Sequence, residues 1–101
     1  MGLLEILGIG KKRKMRVQEM LDKGAVIIDV RSEGEYKQGH VKGSVNMPLP
    51  AITGQINKIE AMKKPVLLCC ASGMRSGSAT SILKGAGIDC YNAGSWLNLN
   101  N

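Results

Sequence analysis

Val66-Leu67-Leu68-Cys69-Cys70-Ala71-Ser72-Gly73-Met74-Arg75-Ser76 is the stretch from which the architecture can be read outward. Val66 to Cys70 is apolar, uninterrupted and of strand length, as expected of a strand buried on both faces. Ala71, Ser72 and Gly73 make a loop of small residues. A helix is then expected over Ser76 to Lys84, with Ala79, Ile82 and Leu83 inward and Gly85 and Gly87 ending it. A strand that turns through a tight loop into a helix sets loop amides and a helix N-terminus over the strand's carboxyl end. Cys70 stands at that end, where partial positive charge lowers a thiol pKa and holds an anion.

The flanking sequence repeats the strand–helix alternation. Val17, Met20 and Leu21 fall at helical spacing before Gly24, a C-terminal stop. Ala25 to Val30 reads as a buried strand. Ser32 and Glu35 form a capping box for a short helix ending near Gly39. Val41 to Met47 reads as a second strand, closed by Pro48 and Pro50. Ile52, Ile56, Ile59 and Met62 mark an amphipathic helix ended by Pro65, and Ile88 to Tyr91 a last short strand. Strands alternating with helices imply an α/β domain with a mostly parallel sheet. In such sheets the binding crevice lies beyond the carboxyl ends of the strands, which places Asp29 and Cys70 on the same crevice.

Composition narrows the function. The chain has 101 residues, enough for one small domain. Phe is absent and aromatics make up only 3%, so the core is aliphatic. The net charge of +6 is concentrated at the start, with five basic residues and one acidic in 1–16, against nine and seven in 17–101. With no basic stripe interleaved with aromatics, nucleic acid is not an expected partner. Three cysteines without a secretory leader argue against a disulfide scaffold and for a reducing cytoplasm. A single His and no C-x-x-C pair leave no expected metal site. Residues 1–14 read as a separate N-terminal arm, apolar then basic, ahead of a domain over 15–101. Leu3, Leu4, Ile6 and Leu7 suit one face of a short helix, broken by Gly8 and Gly10. The largely apolar stretch 3–9, seven residues long, cannot span a bilayer. A membrane-surface anchor is a minority reading of this arm, and a solvated or docked arm the leading one. A monomer is expected.

A nucleophilic cysteine needs thiolate character, access and a holder for the transferred group. The helix N-terminus supplies the first, and the small residues let the amides of Ala71 to Ser76 converge on the sulfur. Arg75 can form paired hydrogen bonds to an oxyanion. Cys70-Ala71-Ser72-Gly73-Met74-Arg75 resembles the C-x-x-G-x-R active loop of rhodanese-type sulfurtransferases. Val26-Ile27-Ile28-Asp29-Val30-Arg31, then Glu35-Tyr36, and Gly39 to Pro48 resemble the family's first signature. Gly94-Ser95-Trp96 resembles its closing one, although Leu99 stands where many relatives have a second Trp. The likeness runs from about Val17 to Trp96.

The resemblance implies a rhodanese-like three-layer fold, with helices on both faces of the sheet, and a ping-pong reaction. Cys70 takes the outer sulfur of thiosulfate or a similar donor as a persulfide and passes it to cyanide or a thiol, with a sulfur-acceptor protein as a further possible partner. Arg75 orients the donor, Ala71, Ser72, Gly73, Met74 and Ser76 line the cradle, and no metal or organic cofactor takes part. Asp29 and Arg31 support the adjoining loop, with Arg31 expected to pair with a carboxylate such as Glu35. Duller roles are expected elsewhere: Cys69 and Cys90 as core residues, His40 as a structural hydrogen-bonding group and Trp96 as a packing anchor. For Cys69, a redox or sulfur-accepting role is the minority reading. The competing functions are a persulfide carrier and a non-catalytic binding module, with arsenate reduction and phosphatase chemistry further off. The related phosphatases resemble C-x5-R, whereas four residues separate Cys70 from Arg75 here.

Overall fold

The computed structural model describes the backbone of residues 2–99 and the side chains of residues 10–99. Four strands form one parallel sheet: β1 (Val26–Asp29), β2 (Val45–Asn46), β3 (Val66–Cys70) and β4 (Cys90–Ser95), in the order β2-β1-β3-β4. The helices are α1 (Gly2–Asp22), α2 (Glu33–Gln38), α3 (Ile56–Met62) and α4 (Met74–Gly85). Short 3-10 helices cover Leu49–Gln55 and Trp96–Asn98. This is the α/β arrangement read from the alternation.

Strand alternation separates two cores. Val66, Leu68 and Cys70 face Ile52, Ile59, Ala79 and Leu83, which come from the first 3-10 helix, α3 and α4. Leu67 faces the other way, against Val17 and Met20 of α1 and Ala93 of β4. The sheet is therefore sandwiched, and β3, one of its two interior strands, is buried at all five positions. Losing a large aliphatic side chain from such a strand costs about 2–5 kcal/mol, because the cavity closes only partly.

Local details differ from expectation for identifiable reasons. α1 is one helix through Gly8 and Gly10. A helical glycine costs only about 1 kcal/mol, which the surrounding Leu, Ile, Lys and Arg residues can carry. The apolar face assigned to Leu3, Leu4, Ile6 and Leu7 lies outside the described side chains. β2 shrinks from the expected Val41–Met47 to Val45–Asn46, since a turn closed by Ser44 N–H on Val41 O occupies its first half. α4 starts earlier than expected, at Met74, and Ile82 is exposed on it instead of inward.

β4 lies later than the expected Ile88–Tyr91. Its register explains why: Leu68 pairs with Asn92 and Cys69 with Gly94, so Ala93 is an extra residue. Pairing with β3 carries Asn92 and Gly94 into a strand that their own propensities disfavour. The bulge leaves Asn92 on the same face as Leu68 and Cys70, and drops Ala93 into the α1 core.

Candidate active site

Capping chemistry positions the first half of the site. The Ser32 hydroxyl accepts from Glu35 N–H, and Glu35 in turn accepts from Ser32 N–H, so the capping box is formed as expected. This fixes the Glu35 carboxylate at the start of α2. The second half follows β3: Cys70 ends the strand, Gly73 takes φ +103°, and α4 begins at Met74. A side chain at Gly73 would be strained by that φ, and its Cβ would also come within 3.2 Å of Gly94 Cα. The loop thus lies directly against β4.

Cys70 is completely buried at the floor of this loop, beneath exposed Ala71, Ser72 and Met74. Its Sγ accepts from Gly73 N–H at 3.0 Å and Ser76 N–H at 3.4 Å, and the Ser76 hydroxyl lies within donating distance at 3.3 Å. Burial works against ionisation. The Ser76 hydroxyl and the amides of Ser76, Gly73 and Ser72 outweigh it, so the thiol sits below its ordinary range. The adjacent thiol behaves oppositely. Cys69 points to the other face, and burial, helped by nearby Asp29, pushes it up to about 12. All three cysteines are free and buried. Two neighbouring thiols are therefore sorted by strand alternation into one with anion-stabilising donors and one without.

The ion pairs are not distributed as expected. Arg31 pairs with Asp29, not with Glu35: its Nε is 3.0 Å from both carboxylate oxygens, and its Nη2 is 2.7 Å from Oδ2. Arg31 also donates to Gly39 O at 2.7 Å and lies 4.6 Å from the centroid of the Trp96 ring. Asp29 outcompetes Glu35 because it is two residues away and equally buried, so a desolvated cation meets a desolvated anion. Glu35 instead binds Arg75 through two hydrogen bonds, at 2.7 and 3.0 Å. Arg75 and then Ser32 hold the Glu35 carboxyl down to about 2. Arg75 therefore stands beside the Cys70 loop as half of an ion pair, with its Nε–H unengaged among the described residues.

Asp29 and Arg31 brace the segment between β1 and α2, with Asn46 Nδ2 donating to both of their carbonyls. His40 stacks on Tyr36, and its Nδ1 lies 2.7 Å from Tyr36 O, a structural placement away from the thiol's hydrogen bonds. Trp96 packs against Gly39 and Arg31. Among the described residues, no group of three or more His, Cys, Asp or Glu side chains could hold a metal, and no helix is long and apolar enough to cross a membrane.

One site residue escaped the sequence reading. Asn92 on β4 donates through Nδ2 to Gly73 O at 3.0 Å, while its Oδ1 accepts from Gly94 N–H at 2.9 Å and from the Ser76 hydroxyl at 2.7 Å. It ties both arms of the cradle to the sheet. The available signal was a strand-averse Asn between Tyr91 and Ala93, two residues before a glycine.

Comparison with known proteins agrees with this geometry. A model of the rhodanese-like domain matches residues 15–98. A tRNA sulfurtransferase from Thermoplasma acidophilum is 28% identical over 88 residues, which cover 87% of this chain and 18% of that protein. Thiosulfate sulfurtransferase GlpE of Pseudomonas savastanoi pv. phaseolicola is 32% identical over 77 residues, covering 75% of this chain and 72% of the relative. The match thus spans less than a fifth of the first relative's length and nearly three quarters of the second's. Among solved structures, a rhodanese with anions from E. coli superposes with a TM-score of 0.68 at 34% identity, over 73% of this chain and 89% of that one.

Proposed function

This chain belongs to the rhodanese-like domain family, and on that premise we propose that it is a sulfurtransferase working through a persulfide on Cys70. The observation that carries the reading is the set of donors around one sulfur: two amides and a hydroxyl reach Cys70 Sγ, and its pKa falls despite burial. The two amides are already oriented toward the sulfur, so they need no reorganisation during the chemistry.

The reaction runs in two halves. The Cys70 thiolate attacks the outer sulfur of thiosulfate, the S–S bond of the donor breaks, and sulfite leaves with the electron pair. Cys70 is left as a persulfide anion. A thiolate or cyanide then attacks the outer sulfur, carries it off as a new persulfide or as thiocyanate, and returns the Cys70 thiolate. Neither half consumes an external oxidant or reductant. The buried floor and the four-residue spacing to Arg75 suit a slender terminal sulfur better than a phosphate ester. Arg75, half-neutralised by Glu35, would orient an anionic donor through its Nε–H, which is unengaged among the described residues.

A protein acceptor fits the same site. α1 carries Lys11, Lys12, Arg13 and Lys14, and the Arg13 guanidinium lies against Gly94, the residue that backs Gly73. The Arg13 charge beside the loop supports a sulfur-acceptor protein with an acidic docking surface.

Intact mass after incubation with thiosulfate tests the reading on the wild type, Cys70→Ser and Cys69→Ser. A gain of about 32 Da in the wild type and Cys69→Ser, absent from Cys70→Ser, is the expected result. Retention of the adduct in Cys70→Ser, or no adduct in freshly reduced wild type, would overturn it.

A further inference from the structure

The Asn92 amide has a fixed sense, because Nδ2 donates to Gly73 O and Oδ1 accepts from Gly94 N–H. Between Asn92 and Cys70 lies the Ser76 hydroxyl, 2.7 Å from Asn92 Oδ1 and 3.3 Å from Cys70 Sγ. A hydroxyl carries a single hydrogen, so it donates to one of these acceptors at a time. We propose that Asn92 is a positioning residue that holds the Ser76 hydroxyl hydrogen while Sγ is uncharged and yields it to Sγ when the thiolate forms. The proposal rests on the sulfurtransferase reading and assigns the Ser76–Asn92 pair to one half of that reaction.

The physical basis is a difference in acceptor strength that reverses with charge. A neutral thiol or disulfide-type sulfur is a weak acceptor, and the amide oxygen at 2.7 Å keeps the hydrogen. A thiolate is a charge-assisted acceptor, roughly twice as strong as a neutral one. The exchange needs only rotation about the Ser76 Cβ–Oγ bond. Asn92 Oδ1 is not orphaned by it, since Gly94 N–H stays in place at 2.9 Å. Ser76 is completely buried, which keeps bulk water from taking the hydrogen instead. The charged groups around the loop are Arg75 from α4, its partner Glu35 from α2, the Asp29–Arg31 pair after β1, and Arg13 of α1, whose guanidinium lies against Gly94. The first four are engaged in ion pairs. Cys69, the remaining titratable neighbour on β3, is held protonated by its high pKa.

The two half-reactions then use the switch differently. In transfer, the acceptor thiolate bonds to the outer sulfur, the S–S bond to Cys70 breaks, and its electron pair arrives on Sγ. The Ser76 hydrogen swings to that charge and stabilises the leaving thiolate. In loading, the thiolate attacks the donor, charge departs from Sγ, and the hydrogen returns to Asn92. Removing the switch therefore slows transfer at every pH, whereas it slows loading only where the raised pKa leaves Cys70 protonated.

Three variants test this. Ser76→Ala removes the hydroxyl. Asn92→Asp keeps an acceptor oxygen beside Ser76 but makes it anionic, so the hydrogen stays there. Ser76→Thr keeps a hydroxyl and serves as the conservative control. Thiolate absorbance near 240 nm titrates the free proteins, and rapid-mixing kinetics follow loading from thiosulfate and transfer to free cysteine separately. The expected result is a thiolate titration raised by about one pH unit in Ser76→Ala and Asn92→Asp, and recovered in Ser76→Thr. Transfer should slow by about tenfold in the first two variants, and loading above the shifted pKa by less than about twofold. An unchanged titration, or equal slowing of both halves at high pH, would overturn the proposal. Failure of the wild type to form a persulfide would instead remove the functional reading. The titration would still decide whether the hydroxyl answers to the thiolate.

Discussion

The carboxyl ends of β1 and β3 lie side by side at one edge of the sheet, and both are buried and polar, yet they are built in opposite ways. At the end of β1, Asp29 and Arg31 neutralise each other through three side-chain hydrogen bonds, and Gly39 O and the Trp96 ring occupy what remains of the guanidinium. At the end of β3, two amides converge on a sulfur that carries no formal charge in its protonated form, and the Ser76 hydroxyl stands 3.3 Å from it. The first end is electrostatically closed and holds the framework. The second has donors in excess, which is a standing preference for an anion. Equivalent places in one sheet thus become brace or reaction centre according to whether the local charges cancel.

The largest effect is expected from breaking the closed end. Asp29→Ala would strand a buried arginine and should lower the unfolding free energy by about 3–5 kcal/mol, measured by urea denaturation. A loss below about 1 kcal/mol would mean that Arg31 finds another partner and that the end of β1 is less closed than its geometry indicates.

The contrast sharpens at the two adjacent thiols. Alkylation by iodoacetamide, followed site by site by mass spectrometry from pH 6 to 10, should modify Cys70 with a midpoint below the ordinary thiol value of about 8.5. Cys69, pushed up to about 12, should stay unreacted across that range while the protein is folded. Comparable labelling of both below pH 8 would show that burial and donors do not sort them.

The smallest effect concerns the clamp between the two ends. Glu35 has a folded pKa of about 2, below its unfolded value, so the stability it contributes is full above roughly pH 4.5 and fades as pH falls toward 2. In Glu35→Gln, the acid branch of the stability profile between those limits should flatten, with little change in its shape above pH 6. An acid branch identical to that of the wild type would place the carboxylate's pKa shift elsewhere.

Several of these features were legible from residue order alone. The apolar run Val66–Cys70, the small loop and the helix after it locate the thiol, and the Ser32–Glu35 capping box was readable from spacing. The opposed facing of Cys69 and Cys70 follows from a two-residue period. Partner choice was not legible. Arg31 was expected near Glu35 because both lie on the same short segment. The structure gives it to Asp29 and leaves Glu35 for Arg75, 40 residues away. Asn92 was invisible for a related reason, since its position depends on a one-residue slip between Leu68 and Cys69.

What the sequence determined by itself is therefore what depends on near neighbours: strand and helix identity, caps, the face each side chain takes, and the placing of Cys70 at a strand's end before a helix. Only the tertiary structure decided which charges cancel, which donors remain free and which residue of β4 reaches the loop. Periodicity and capping act over a few residues, whereas ion pairing and strand register are contests among groups that come together only once the chain has folded.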